Sequence, residues 1–155
     1  MDNLHNSRYH VRVSWDKQTG CEVHIRDFPP LRIDMPIEHG GGGRYPCPHE
    51  LLFSAFGSCF LGTFLVFQRQ LRLQLQDLQI SVQGNVDLIR RGKYRGKYAI
   101  TGVEVSIYTK IEGNQHEEGI ASDCIRLTEE HCPVYRALQK AVPIKILSEI
   151  ETTPR

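Results

Sequence analysis

From Pro48 to Phe67 the chain reads PHELLFSAFGSCFLGTFLVF, its longest apolar run. Leu51, Leu52, Ala55, Phe56, Cys59, Phe60 and Thr63 recur there at helical spacing, and Leu61, Phe64, Leu65 and Phe67 make the other sides apolar too. The pattern predicts a helix buried on all sides. Pro48 suits the first helical position, and Glu50 falls in the first turn, near the positive end of the helix dipole. At about 1.5 Å per residue the apolar part spans only about 25 Å, short of the roughly 30 Å of a bilayer interior. A core helix is therefore expected, not a membrane span. Gly57, Ser58 and Gly62 carry little side chain, and Ser58 and Gly62, four apart, share a face suited to close helix pairing.

On either side of this helix the period changes from helical to alternating. Tyr9, Val11, Val13 and Trp15 alternate with polar residues, as do Cys21, Val23 and Ile25 after the turn cluster Asp16–Gly20. An N-terminal hairpin is expected, with a short third strand over Leu31–Met35. The glycines at 40–43 then read as a flexible approach to the helix. Beyond a frayed or bent stretch at 68–76, Leu78, Ile80, Val82, Val86 and Leu88 mark a long strand, with Gly84 as a candidate bulge. It returns through a basic tip at 90–97 as Val103, Val105 and Ile107. Ile100 is out of phase with these, so an irregularity is expected near Gly102. A second helix is predicted over 116–131, a short third over 134–140, and a last strand around Ile144, Ile146 and Leu147. The order β-β-β-α-β-β-α-α-β indicates an α+β fold with mainly antiparallel sheet.

At 155 residues the chain is read as one domain, 1–155, large enough for a core of its own. Its net charge of +1 calls for neither nucleic acid nor an anionic membrane surface. The basic tip, five cations around Tyr94, reads as a solvated hairpin end. The polar start, MDNLHNSRYH, has no secretory signal, and an odd count of five cysteines does not suit a paired extracellular framework. A cytosolic protein with single thiols is expected.

Those thiols separate by context. Cys124 shares the inner helix face of Ile120 and Leu127, and Cys21 follows the inward phase of its strand, so both read as core. Cys47-x-His49 is half of a metal-binding pattern whose other half is absent, so no metal is expected. The four glycines lack the Gly-Lys-Ser/Thr of a phosphate loop. Cys132 directly precedes Pro133 at a helix start, where unpaired N–H groups favour a thiolate. The residue is either a redox thiol or a plain cap. Cys59 alone reads as a small core residue; with Cys132 it makes a candidate redox pair.

Pro48-x-Glu50-Leu-Leu52…Gly57-Ser58-Cys59, followed by Cys132-Pro133-Val134-x-x-Ala137-Leu138, resembles the OsmC/Ohr family of osmotically inducible and organic hydroperoxide resistance proteins. The resemblance runs from about Val11 to Ile146 and takes in Ile33-Asp34-x-Pro36…Gly40-Gly41. It implies an intertwined homodimer with sheets wrapped around central helices and active sites at the interface. It implies thiol-dependent reduction of organic hydroperoxides, with Cys59 as peroxidatic and Cys132 as resolving cysteine. A small dithiol or other thiol would be the reductant, and no metal or organic cofactor is needed. Phe56, Phe60 and Arg32 are the expected substrate-binding residues. The match with the family's peroxidases has two gaps, a displaced glutamate and an unplaced arginine. His49 stands where they carry a glutamate, and Glu50 comes one residue later, about 100° around a helix. His49 and Glu50 are both candidates for tuning Cys59. For the accompanying cation, Arg12, Arg26 and Arg32 are available and no motif singles one out. The same departure leaves room for a non-peroxidase member that binds a small apolar or electrophilic ligand, or for a purely structural dimer.

Overall fold

Asp16 closes the first turn. Its carboxylate accepts the N–H groups of Gln18 at 2.7 Å and Gly20 at 3.1 Å, which folds β1 (Arg12–Trp15) back onto β2 (Gly20–His24). β3 (Leu31–Asp34) adds to β2, completing an antiparallel three-stranded sheet in the order β1-β2-β3. The structure, a computed structural model, describes residues 7–93 and 95–154; Tyr94 of the basic tip and the first six residues of the polar start lie outside them. The chain forms two units, Met1–Leu52 and Phe53–Arg155, whose boundary falls inside the long helix.

In the first unit the register sets the rows Val13–Val23–Leu31 and Trp15–Cys21–Ile33 on one face and Ser14–Glu22–Arg32 on the other. Val23 and Ile33 are buried, whereas Val13 and Trp15 are 61% and 64% exposed. β1 is thus shorter than the Tyr9–Trp15 alternation predicts, and its apolar side chains lie open within the chain. The glycine-rich segment is a fixed turn and not the expected flexible approach. Gly40 ends a 3-10 turn over Ile37–His39 at φ 81°, and a Cβ on Gly41 would lie 1.8 Å from the Met35 carbonyl oxygen.

Arg44, at the end of that turn, ties the unit together. Its Nε donates to Asp34 Oδ2 at 2.7 Å, one terminal nitrogen to Asp16 Oδ2 at 2.6 Å and the other to Gln18 Oε1 at 2.9 Å. The Arg44 hydrogen bond holds the Asp34 carboxyl well below the usual carboxylate range, against the opposing effect of desolvation. A depressed folded pKa contributes stability that is complete above the unfolded value, near 4, and is lost as pH falls through the folded value. Urea midpoints followed by Trp15, the single tryptophan, are therefore expected to fall below about pH 4. Asp34→Asn should be less stable at neutral pH and lose this part of the acid dependence. Parallel pH profiles for the two proteins would refute the assignment.

The second unit is built on α1 (Pro48–Gln70) and a sheet ordered β4-β5-β6. β4 (Leu75–Leu88) and β5 (Tyr98–Glu112) form the long antiparallel pair, and β6 (Ile144–Thr153) runs parallel to β5 after the crossover through α2 (Gln115–His131) and α3 (Pro133–Leu138). Register shifts between Asn85 and Val86, opposite Gly102, where the out-of-phase Ile100 predicts it. Gly84 is not a bulge. A Cβ there would come within 2.0 Å of the Phe53 ring, so this glycine is the notch in β4 that receives α1. β6 is longer than the predicted strand because Ile150 continues the inward alternation of Ile144 and Ile146.

Val103, Val105, Ile107 and Ile111 face inward from β5 and are buried with Phe56, Phe60 and Phe64 of α1 and with Ala121, Cys124 and Ile125 of α2. α1 has the length and composition of a membrane-crossing helix, and it extends to Gln70 past the predicted apolar end. Burial on all sides is not found among the described residues. The three phenylalanines are buried, while Ser54, Ala55, Ser58, Gly62 and Val66 are exposed. Nothing among the described residues covers that side.

Candidate active site

Two helix ends meet at Cys132. α2 starts with a capping box: Asn114 accepts the His116 N–H, and Glu117 accepts the Asn114 N–H. The helix runs until Pro133 prevents its continuation. Cys132 closes α2 by donating its N–H to the Thr128 carbonyl at 2.8 Å, and opens α3 by accepting the Arg136 N–H at 3.0 Å. Its Sγ accepts the Tyr135 N–H at 3.5 Å, the bond a side-chain cap makes to the third helical residue.

The other contact of that sulfur is decisive. Cys132 Sγ lies 3.5 Å from Cys59 Sγ, so two residues 73 apart in sequence are brought into sulfur hydrogen-bond reach. Both are free thiols; Cys132 is buried and Cys59 half-buried. Bond formation needs Sγ–Sγ to shorten to about 2.05 Å, an approach of about 1.5 Å. Phe56 and Phe60 flank Cys59 in sequence and are fully buried, meeting each other edge-on at 6.1 Å. Tyr135 completes the cluster, its ring 6.2 Å from Phe56 and 6.0 Å from Phe60. Phe67 meets His131 edge-on at 5.0 Å, which joins α1 to the end of α2 beside Cys132.

Burial pushes the Cys132 thiol up; the Tyr135 N–H opposes this and the neighbouring Cys59 adds to it. The expectation that a helix start favours the Cys132 thiolate is overturned. α3 has six residues, and the N–H groups of Tyr135 and Val134 do not offset the removal of water. Cys124, fully buried on α2, is pushed up to about 11 by desolvation, in keeping with an inert core thiol. Cys21 is half-buried in β2.

The remaining candidates lie in the first unit. Glu50 accepts the Cys47 N–H at 2.6 Å, closing the first turn of α1, and His49 Nδ1 lies 4.0 Å from Cys47 Sγ. Arg32 donates to the Tyr45 hydroxyl at 3.2 Å, and its Nε lies 3.6 Å from Glu22. Arg12 pairs in register with His24, and Arg26 stacks over Phe28 at 4.8 Å. Among the described residues no group of three or more His, Cys, Asp or Glu side chains converges on a metal position. The sequence reading missed Arg44 and Tyr135. The first has no sequence signal. The second was available, because the third residue after a cap is the one whose N–H the cap accepts.

A sequence model described as OsmC-like protein matches residues 40–147. The uncharacterized protein YmaD of Bacillus subtilis (strain 168) is 25% identical over 119 residues, 77% of each chain. An OsmC-like protein from Mycoplasma pneumoniae superposes with a TM-score of 0.79 at 14% identity, covering 94% of this chain and 99% of that one. An organic hydroperoxide resistance protein OsmC from Legionella pneumophila superposes at 0.74 with 19% identity, covering 92% and 97%. At these identities the solved structures show a shared fold.

Proposed function

The chain belongs to the OsmC-like protein family, and on that premise we propose that it is a thiol-dependent peroxidase of organic hydroperoxides. The observation that carries the reading is the 3.5 Å approach of Cys59 and Cys132 beside an aromatic cluster. The Cys59 thiolate attacks the terminal oxygen of ROOH. The O–O bond breaks, RO⁻ leaves and is protonated to the alcohol, and Cys59 becomes a sulfenic acid. Cys132, held as a thiol by burial, then gives its sulfur to Cys59; the S–O bond breaks and water leaves. A small dithiol or other thiol reduces the resulting disulfide. Each step is completed by side chains and two thiol equivalents, without metal or organic cofactor. Apolar surroundings favour aryl or lipid-like hydroperoxides over hydrogen peroxide. His49 and Glu50 are the candidates for the role of the family's glutamate, and Arg32 is the candidate for the accompanying cation.

The working unit is a homodimer, with a second copy covering the open side of α1 and the exposed apolar face of β1. The cytoplasm suits this chemistry, since five unpaired thiols persist in a reducing compartment. The test is a single turnover. Reduced protein receives one equivalent of cumene hydroperoxide for seconds, is alkylated, and its disulfides are mapped by mass spectrometry. A Cys59–Cys132 bond that forms faster than with hydrogen peroxide is expected. Two alkylated, unoxidised thiols would overturn the peroxidase reading. A second reading, a pocket for a small electrophilic ligand, is favoured by one observation: the Glu50 carboxylate is engaged with the Cys47 N–H.

A further inference from the structure

Tyr135 is attached to every element that holds the two thiols. Its N–H donates to Cys132 Sγ at 3.5 Å, its ring packs between Phe56 and Phe60, which flank Cys59 on α1, and its hydroxyl donates to Glu129 of α2 at 3.3 Å. Both carboxylate contact and burial hold the phenol in its protonated form, so the hydroxyl remains a donor. The side chain of Tyr135 thus joins α1 to α2, while its main-chain N–H holds the Cys132 sulfur.

We propose that Tyr135 is a positioning residue for the Cys59–Cys132 couple. It acts as a clamp that holds α3, and the sulfur capping it, against the face of α1 that carries Cys59. The inference rests on the redox couple proposed above and adds what sets its strength. Disulfide formation replaces a sulfur contact of 3.5 Å by a bond of about 2.05 Å, so Cys132 must move toward α1 and partly off the Tyr135 N–H. A ring locked between two buried phenylalanines keeps that excursion short, and the two thiols behave as reactants at high effective concentration. Without the ring, α3 keeps its Cys132 cap and the packing of Val134 and Leu138 but loses its aromatic contact with α1, and the same bond forms from a wider range of positions.

The experiment measures the equilibrium of the whole protein with mixtures of oxidised and reduced dithiothreitol. In it the protein dithiol gives two electrons and two protons to the oxidised reagent, so no hydroperoxide is involved. Tyr135→Ala is expected to lower the equilibrium constant for the protein disulfide at least about tenfold, a rise of about 30 mV in its potential. Tyr135→Phe, which keeps the ring and loses the Glu129 bond, should lie within about threefold of wild type, and Glu129→Gln should match it. If Tyr135→Ala does not fold, Tyr135→Leu is measured in its place with the same expected direction. An alanine or leucine variant within twofold of wild type would overturn the clamp. A wild-type disulfide that equilibrates here but does not form with cumene hydroperoxide would sink the peroxidase reading and leave the clamp standing. Failure of the wild type to form the disulfide in dithiothreitol would overturn both.

Discussion

Cys59→Ser is expected to abolish hydroperoxide consumption, by at least about 10³-fold in kcat/KM, because no second nucleophile replaces it. Cys132 is 3.5 Å away but burial keeps it a thiol, and Cys124 is fully buried with its pKa pushed up to about 11. Cys132→Ser should behave differently. The first equivalent of hydroperoxide still reacts at Cys59, and the sulfenic acid then persists and is trapped by dimedone. Turnover with a dithiol reductant falls, while the first-equivalent rate stays within a few-fold. The pair of variants separates the two chemical roles, which neither does alone. Equal loss of the first-equivalent reaction in both would mean that the two sulfurs act as one site. Undiminished consumption in Cys59→Ser would end the peroxidase assignment and favour the ligand-binding reading.

Gly62→Leu should have opposite signs in a monomer and a dimer. Within the single chain a Cβ on Gly62 meets nothing within 4 Å, and the residue is exposed in the middle of α1. Replacing a mid-helix glycine by leucine should then stabilise an isolated chain by about 0.8 kcal/mol through helix propensity. A second copy packed on Ser54, Ala55, Ser58, Gly62 and Val66 reverses this. Its backbone would approach closely over the small residues, and a leucine would force the helices apart at a cost of about 1–3 kcal/mol or more. Sedimentation equilibrium should give twice 17.8 kDa for wild type, with weakened association and a lower melting temperature for Gly62→Leu. A monomeric wild type, or a variant more stable than wild type with unchanged mass, would overturn the homodimer.

What can be read from the chain alone follows from local geometry. The start of α1 at Pro48, the Gly102 irregularity, the inward row Val103–Val105–Ile107 and the break at Pro133 all depend on residues a few positions apart. Period and backbone restriction carry that information without knowledge of the rest of the molecule. The motifs around Cys59 and Cys132 likewise pointed to the family, which matching over residues 40–147 bears out.

Tertiary structure decided the rest, where distant segments compete for the same space or charge. It set the 3.5 Å between sulfurs that are 73 residues apart, a distance fixed by how α1, α2 and α3 stack. It reversed the expected protonation of Cys132, because desolvation depends on what surrounds a thiol and not on its neighbours in sequence. It gave Gly84 its purpose as the seat of the Phe53 ring, made the glycines before α1 a fixed turn, and assigned Arg44 to Asp16 and Asp34. It also left one side of α1 uncovered although apolar residues surround that helix. Composition shows that such a surface must be buried, but which surface buries it is a property of the packed assembly.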